Sequence, residues 1–460
     1  MLRSSRLMVV VVAMMIPLSA CQSAGEPNKK RPSAAGTTIP AEDLPPSLAS
    51  LTPYPEPKKD AEIEAPAGFE PVFAQNIARH GARSLTSDDP IEDAIELWEE
   101  AKAAGALTSA GKRFGPDARA LQLTMSKVGF GQLNTLGAEE MQGIGTREGK
   151  RLSSMFDAAH EEGARVEILD SGVGRAEDSA KNFSAGLASV HADIEIETPE
   201  SNDELLKFSG ENDKYEDFLD DGPWKAAYNQ VRKLSNIRNA ATETLEHLYT
   251  PEFVAGIGNN QLEEANGVFD VYRSGPAMSR DINVDTERHM PKDAAEAFAY
   301  VEDGRYFYSR GPGLEGDDGS YQAAQILLDD FFSVIDDRLK GRGPHPHAAV
   351  YRFAHAEELA PFAALIRIPG ADEQGKPGET FTHENNDFRI SAVTPLSGNI
   401  EWVVWEKDDQ HIVSVSHNEV PTTVGRDCKP YKGTDNFYKL EELRTCLEDK
   451  KQKPTSSPTS

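Results

Sequence analysis

Cysteine is almost missing from this chain: Cys21, Cys428 and Cys446 are the three in 460 residues. With no further cysteine and no ligand-spaced histidine beside them, they exclude a cysteine-held metal centre. Basic residues are scarce too, 48 Lys and Arg against 76 Asp and Glu, a formal net charge of −28. That balance repels a phosphate backbone and excludes nucleic acid as a partner. Long apolar runs are also lacking, since the run from Leu7 to Ile16 is too short to cross a membrane comfortably. No internal repeat is present, and the chain is expected to be a monomer.

The short apolar run has a different use. Arg3 and Arg6 precede it and Leu18-Ser19-Ala20-Cys21 follows, the pattern of a lipoprotein signal whose cysteine becomes the acylated N-terminus. The expectation is a signal at 1–20, a lipid anchor on Cys21, and an exported bacterial lipoprotein in the periplasm or on the cell surface. Residues 21–65, rich in Pro, Ala, Ser and Glu, are expected to be a flexible tether, and 450–460 a disordered tail. In an oxidising compartment Cys428 and Cys446 are an even pair, expected to form a disulfide. Without Arg3 and Arg6 the balance is 46 basic against 76 acidic residues, or −30. Acidic blocks at Glu92–Glu100, Glu211–Asp221 and Asp329–Asp337 read as solvated faces. A polyanionic ligand therefore needs a local basic pocket rather than long-range steering.

One such pocket is written at Arg79-His80-Gly81-Ala82-Arg83, where the hydrophobic run Pro71–Ala78 stops. Two guanidinium forks match the oxygens of a phosphate, and their charge disfavours an imidazolium between them. A neutral imidazole is a nucleophile, so the pattern reads as covalent catalysis through a phosphohistidine. Two further junctions repeat the arrangement. Val166–Leu169 leads through Ser171-Gly172-Val173-Gly174 to Arg175 and a helical pattern carrying Ala176, Ala180, Phe183, Leu187 and Val190. Ala348–Ala354 ends at His355-Ala356-Glu357, ahead of Leu359, Phe362, Ala363 and Leu365. In an open α/β sheet the carboxyl ends of parallel strands converge on one crevice.

These motifs, with Thr86, Arg175-x-x-x-Ser179-x-x-x-Phe183-x-x-Gly186-Leu187, Leu133-Asn134-Thr135-Leu136-Gly137, Gly143-Ile144-Gly145 and Val413–Glu419, resemble the histidine acid phosphatase branch of the histidine phosphatase superfamily. His-Ala-Glu at the third junction, and the segment Tyr306–Gly313, are most similar to the multiple inositol polyphosphate phosphatases. Leu85 departs from the pattern, which often has proline there. The resemblance implies an α/β fold with a mostly parallel central sheet flanked by helices. The catalytic domain is expected at 66–199 and 341–449, with a mainly helical insert at 200–340. Helical stretches within that insert are expected at Asp213–Leu219, Trp224–Leu248, Lys292–Val301 and Tyr321–Leu339. A hairpin is expected from Ile400–Glu406 and Gln410–Ser416.

The resemblance further implies that His80 attacks phosphorus while Arg79, Arg83, Arg175 and His355 hold the transferring group. Glu357 donates the proton to the leaving alkoxide, and Thr86 lines the substrate side. No cofactor and no metal are expected; His345-Pro346-His347 lacks a third ligand. Arg147, Lys181 and Arg310 are candidates for contacts to other phosphates. Glu357 is expected to start protonated through upward tuning, with an acidic pH optimum. The substrate class is inositol polyphosphates such as phytate. A broad acid phosphatase acting on sugar phosphates and a non-catalytic phosphate-capturing module are the alternatives.

Overall fold

The hydrophobic run that precedes Arg79 folds as the central strand β1 (Glu70–Arg79), with its last seven residues buried. The chain is seen here as a computed structural model that describes residues 48–55, 63–208, 212–343 and 346–448. The expected signal, Cys21 and the tail lie outside those residues, as does His345. Beside β1 stand β2 (Arg165–Asp170), β3 (Glu195–Ile196), β4 (Glu200–Ser201), β5 (His347–Ala354), β6 (Asn399–Lys407), β7 (Gln410–His417), β8 (Val420–Pro421) and β9 (Phe437–Lys439). They form one sheet in the order β3-β2-β5-β1-β6-β7-β8, with β4 on β2 and β9 on β7.

The sheet is mixed. Parallel pairing is confined to β2, β3, β4, β5 and β1, while every pairing from β1 through β6 and beyond is antiparallel. The cause is local: β6 and β7 form the expected hairpin, turning at Asp408 with φ 53. The parallel half sets up the site, because Arg79 pairs with Ala354 and Asp170 with Phe353, so three strand ends lie on one edge.

Side chains alternate across this sheet as a pleat requires. On one face Phe73 and Ile77 of β1, Val350 and Ala354 of β5, and Trp402 of β6 enter the larger core. On the other Ala74, Ala78, Ala349, Tyr351 and Phe353 meet the second core. That second core is roofed by α3 (Thr135–Arg151), α4 (Ser153–Glu162) and α5 (Gly174–Ala188), numbered after α1 (Asp89–Ala103) and α2 (Gly111–Val128). In α5 the expected Ala176, Ala180, Phe183 and Leu187 are buried, but Val190 of the same expected stripe lies past the helix end and is only partly buried.

The helical layer is wider than an insert at 200–340. It contains α6 (Asp203–Leu206), α7 (Asp213–Asp221), α8 (Trp224–Arg232), α9 (Ser235–Leu248), α10 (Pro251–Ile257), α11 (Gln261–Ala277) and α12 (Lys292–Ser309). However, α1 and α2 of the first crossover pack against α11 and α9 and belong to the same layer. The next helix, α13 (Gln325–Leu339), instead packs on β1 and β5. The stretch Trp224–Leu248 breaks into two helices at Leu234, whose ψ of 142 is not helical. Beyond β5 come α14 (Ala356–Leu365), α15 (Ile390–Val393) and α16 (Leu440–Glu448). Cys428 and Cys446 are joined as expected.

Part of the stretch expected to be a tether, residues 48–55, packs into the fold. Leu48, Ala49 and Leu51 are 0–3% exposed and belong to the main core, because this stretch carries apolar side chains that composition averaged over 21–65 conceals.

Candidate active site

His80 follows the last residue of β1 and is locked by its backbone. Its N–H donates to the Ala354 carbonyl (2.9 Å), and its own carbonyl accepts from Ser397 N–H (3.0 Å). Gly81 must be glycine because a Cβ there would lie 2.6 Å from the Gly137 carbonyl oxygen. The Leu133–Gly137 motif thereby acquires a purpose. Asn134 caps α3 by accepting from Gly137 N–H (2.9 Å), and the start of α3 presses on the loop after His80. Ser179 ties this loop to the second junction, since its hydroxyl accepts from Gly81 N–H (3.0 Å) and donates to the Arg175 carbonyl (2.7 Å).

The His80 ring has one assigned partner. Nδ1 lies 2.9 Å from the Gly81 carbonyl oxygen. A carbonyl only accepts, so Nδ1 carries the proton and Nε2 keeps its lone pair. Burial, followed by Arg79, His355, Arg83 and Arg175, holds the imidazole well below its ordinary 6.5. Desolvation is thus the largest cause, and the arginines reinforce it.

His355 stands across from His80, ring centroids 5.3 Å apart and edge to face. It caps α14, its Nε2 is 2.9 Å from Ser171 Oγ, and burial with Arg175 lowers it to about 3. Arg79 donates through Nη1 to the carbonyls of Ser50 (2.6 Å) and Thr394 (2.7 Å). Arg83 donates to the Ser84 carbonyl (2.7 Å); burial beside Arg79 and Arg175 lowers it to about 10, so it stays charged at neutral pH. Thr86 and Arg175 meet at Gly131, where a Cβ would lie 3.7 Å from Thr86 Cα and 3.9 Å from Arg175 Nη1. The Nε atoms of Arg79, Arg83, Arg175 and Arg310, and Nδ1 of His355, are buried without a hydrogen-bond partner. Buried polar groups without partners are costly, and Arg79, Arg83, Arg175 and His355 among these lie close enough to act on the His80 ring. An anion satisfies them together.

Glu357 lies in the first turn of α14, and its Oε1 accepts from the Tyr306 hydroxyl at 3.4 Å. The expected upward tuning is absent. Burial pushes this carboxyl up, but Arg310 first, then His355 and Arg79, pull it down to about 2. Glu357 is a carboxylate at neutral pH because the guanidinium groups of Arg310 and Arg79 lie near it. Of the three further candidates, Arg310 sits beside Glu357 and over the Tyr306 ring at 5.9 Å. Arg147 is instead engaged by Glu419 through Nε (2.9 Å) and Nη2 (2.6 Å). Lys181 lies on the exposed side of α5, paired with Glu177 (2.6 Å) and Asp178 (3.4 Å). Helix faces decide this: Lys181 stands six residues after Arg175, well round the helix from it.

Sequence reading missed three supports of the site. Glu140 accepts from Tyr54 N–H (2.9 Å), Ala82 N–H (3.0 Å) and the Ser397 hydroxyl (2.8 Å). Glu358 accepts from His355 N–H (3.1 Å) and Phe208 N–H (3.3 Å). Tyr215 of α7 buries an unpartnered hydroxyl, and Arg310 and Glu357 are among the charges that act on it. An acidic residue three positions after a helix cap was a legible signal for Glu358 alone.

The sequence model of the histidine phosphatase superfamily (branch 2) matches residues 72–418. No curated protein matches the chain significantly. Among solved structures, the Bifidobacterium longum multiple inositol polyphosphate phosphatase in complex with inositol hexasulfate superposes with a TM-score of 0.81. It is 25% identical, and the match covers 88% of this chain and 97% of that one. The same protein in complex with phosphate superposes equally well. The phytase from D. castellii shares the fold, with a TM-score of 0.63 at 14% identity over 87% of this chain and 84% of that one.

Proposed function

The chain belongs to branch 2 of the histidine phosphatase superfamily, and on that premise we propose that it hydrolyses the phosphomonoesters of inositol polyphosphates such as phytate. The observation that carries this reading is a buried neutral His80, its proton on Nδ1, in the company of Arg79, Arg83 and Arg175, whose Nε groups are buried and lack an acceptor. The Bifidobacterium longum phosphatase, matched over nearly its whole length, supports the substrate class.

In the proposed mechanism the scissile phosphate accepts from Arg79, Arg83, Arg175 and His355, which hold phosphorus in line with His80 Nε2. A bond forms from Nε2 to phosphorus as the bond to the inositol oxygen breaks. The proton that this oxygen needs comes from Glu357. The negative charge of the bound phosphate offsets Arg310 and Arg79, so Glu357 gains its proton as substrate binds. Water then attacks the phosphohistidine, giving its proton to Glu357 and releasing inorganic phosphate and neutral His80. All these steps use protein side chains alone. Thr86 lines the substrate side, and a lipidated Cys21 holds the exported enzyme at a membrane.

The test is release of phosphate from phytate and from p-nitrophenyl phosphate by purified protein in excess chelator. The reading expects both, with phytate the better substrate, and loss of both in His80→Ala. Turnover that stops with chelator contradicts the metal-free mechanism, and preference for simple esters contradicts the substrate class.

A further inference from the structure

Arg79 is held from beneath by a segment that precedes the family match, which begins at residue 72. Nη1 carries two hydrogens, and the carbonyls of Ser50 (2.6 Å) and Thr394 (2.7 Å) take both. The Nε edge, buried and without a partner, is left for the ligand. The segment is itself fastened at several points. The Ser50 hydroxyl donates to Glu302 Oε1 (2.6 Å), and Glu302 is paired with Arg273. The Thr52 carbonyl accepts from Leu396 N–H (2.9 Å), and Tyr54 N–H reaches Glu140, which also holds Ala82. Leu48 and Leu51 are buried in the main core, and Ala49 takes the left-handed φ of 50 that turns the next carbonyl inward.

We infer that residues 48–55 form a positioning strap for the catalytic guanidinium, with Ser50 as the positioning residue that aims Arg79 at the transferring phosphate. A long arginine stem has many rotamers, and two carbonyls on one nitrogen select one of them before substrate arrives. Packing alone requires only the apolar side chains of Leu48 and Leu51. It does not require the Ser50 carbonyl to face Arg79, nor the Ser50 hydroxyl to be tied to Glu302. The inference rests on the phosphatase reading of His80 and Arg79.

The experiment uses the full chain carrying Ser50→Ala, Ser50→Thr or Leu51→Asp. The readouts are kcat and KM on p-nitrophenyl phosphate, the Kd of inorganic phosphate by calorimetry, and Tm. Ser50→Ala is expected to lower kcat and phosphate affinity about tenfold, with Tm little changed, and Ser50→Thr to restore both within about twofold. Leu51→Asp, which draws the strap out of the core, is expected to cost kcat about a hundredfold or more. If Leu51→Asp does not melt cooperatively, the Ser50 pair decides alone. Retention of kcat and phosphate affinity within about twofold in Ser50→Ala overturns the strap. If the unaltered chain releases no phosphate yet Ser50→Ala still loses phosphate affinity, the phosphatase reading fails and the strap stands.

Discussion

The rings of His80 and His355 stand edge to face with centroids 5.3 Å apart, and both are neutral because burial and the surrounding arginines disfavour further cations. Catalysis should therefore show no loss near the ordinary histidine pKa of 6.5, and none from His355 until pH falls toward 3. The basic limb of kcat/KM should follow the second ionisation of the substrate phosphate, near about 6, because Glu357 enters as a carboxylate and the proton arrives with the substrate. Arg310→Gln should raise the Glu357 carboxyl, read by carbon-13 NMR of labelled glutamate, by about one unit or more. A basic limb that ignores the substrate, or an unmoved Glu357, contradicts this account.

Stability should peak in mild acid. Burial holds His355 at about 3 and His417 at about 4, so each is neutral when folded and takes a proton near 6.5 when unfolded. Their contribution is whole above pH 6.5 and is lost as pH falls through the folded values. Glu357, at about 2, adds to that acid loss below 4.5. Glu148 and Glu358 act oppositely, since burial raises both, Glu358 to about 8. Burial favours their protonated forms when folded, so their contribution is whole below 4.5 and is lost as pH rises through the folded values, about 8 for Glu358. Calorimetric Tm should be highest between about pH 4.5 and 6.5 and fall on both sides. A Tm still climbing at about pH 8 would show these assignments to be wrong.

Glu357→Gln removes the proton donor and keeps the shape. Hydrolysis of phytate, whose leaving group is an alkoxide, should slow by about 10²–10⁴. The first step with p-nitrophenyl phosphate should hardly change, because a nitrophenolate leaves without a proton. Equal slowing of that step for both esters would remove Glu357 from the leaving side.

Gly81→Ala places a methyl against the Gly137 carbonyl at the start of α3. The loop cannot yield without moving His80, so stability should fall by about 1–3 kcal/mol and kcat by about a hundredfold. Denaturant midpoints and steady-state rates read the two effects, and normal kcat would mean that the loop is not tightly set.

Much of this site was legible because phosphoryl chemistry needs arginine and histidine at strand ends, and such residues stand out after apolar runs. The three junctions at His80, Arg175 and His355, the α5 stripe as far as Leu187 and the β6–β7 hairpin all form as read. What stayed hidden depends on long-range placement. The ionisation of Glu357 is set by Arg310 at the end of α12, and no local pattern joins the two. The packing of α1 and α2 with α9 and α11 is likewise a tertiary choice between equally amphipathic helices. Helix α11 escaped notice because its buried residues run nearly all round it and Pro276 lies within it. The strap at 48–55 was hidden by its neighbours, since a few apolar residues vanish in the average of a polar stretch.

The most direct measurement is to mix Glu357→Gln with p-nitrophenyl phosphate in chelator, quench in base and map the peptides by mass spectrometry. Loss of the base that activates water should let the intermediate accumulate, and the account predicts a phosphoryl group on His80. Burst release of nitrophenol with no phosphate on His80, or with phosphate on another residue, would contradict it.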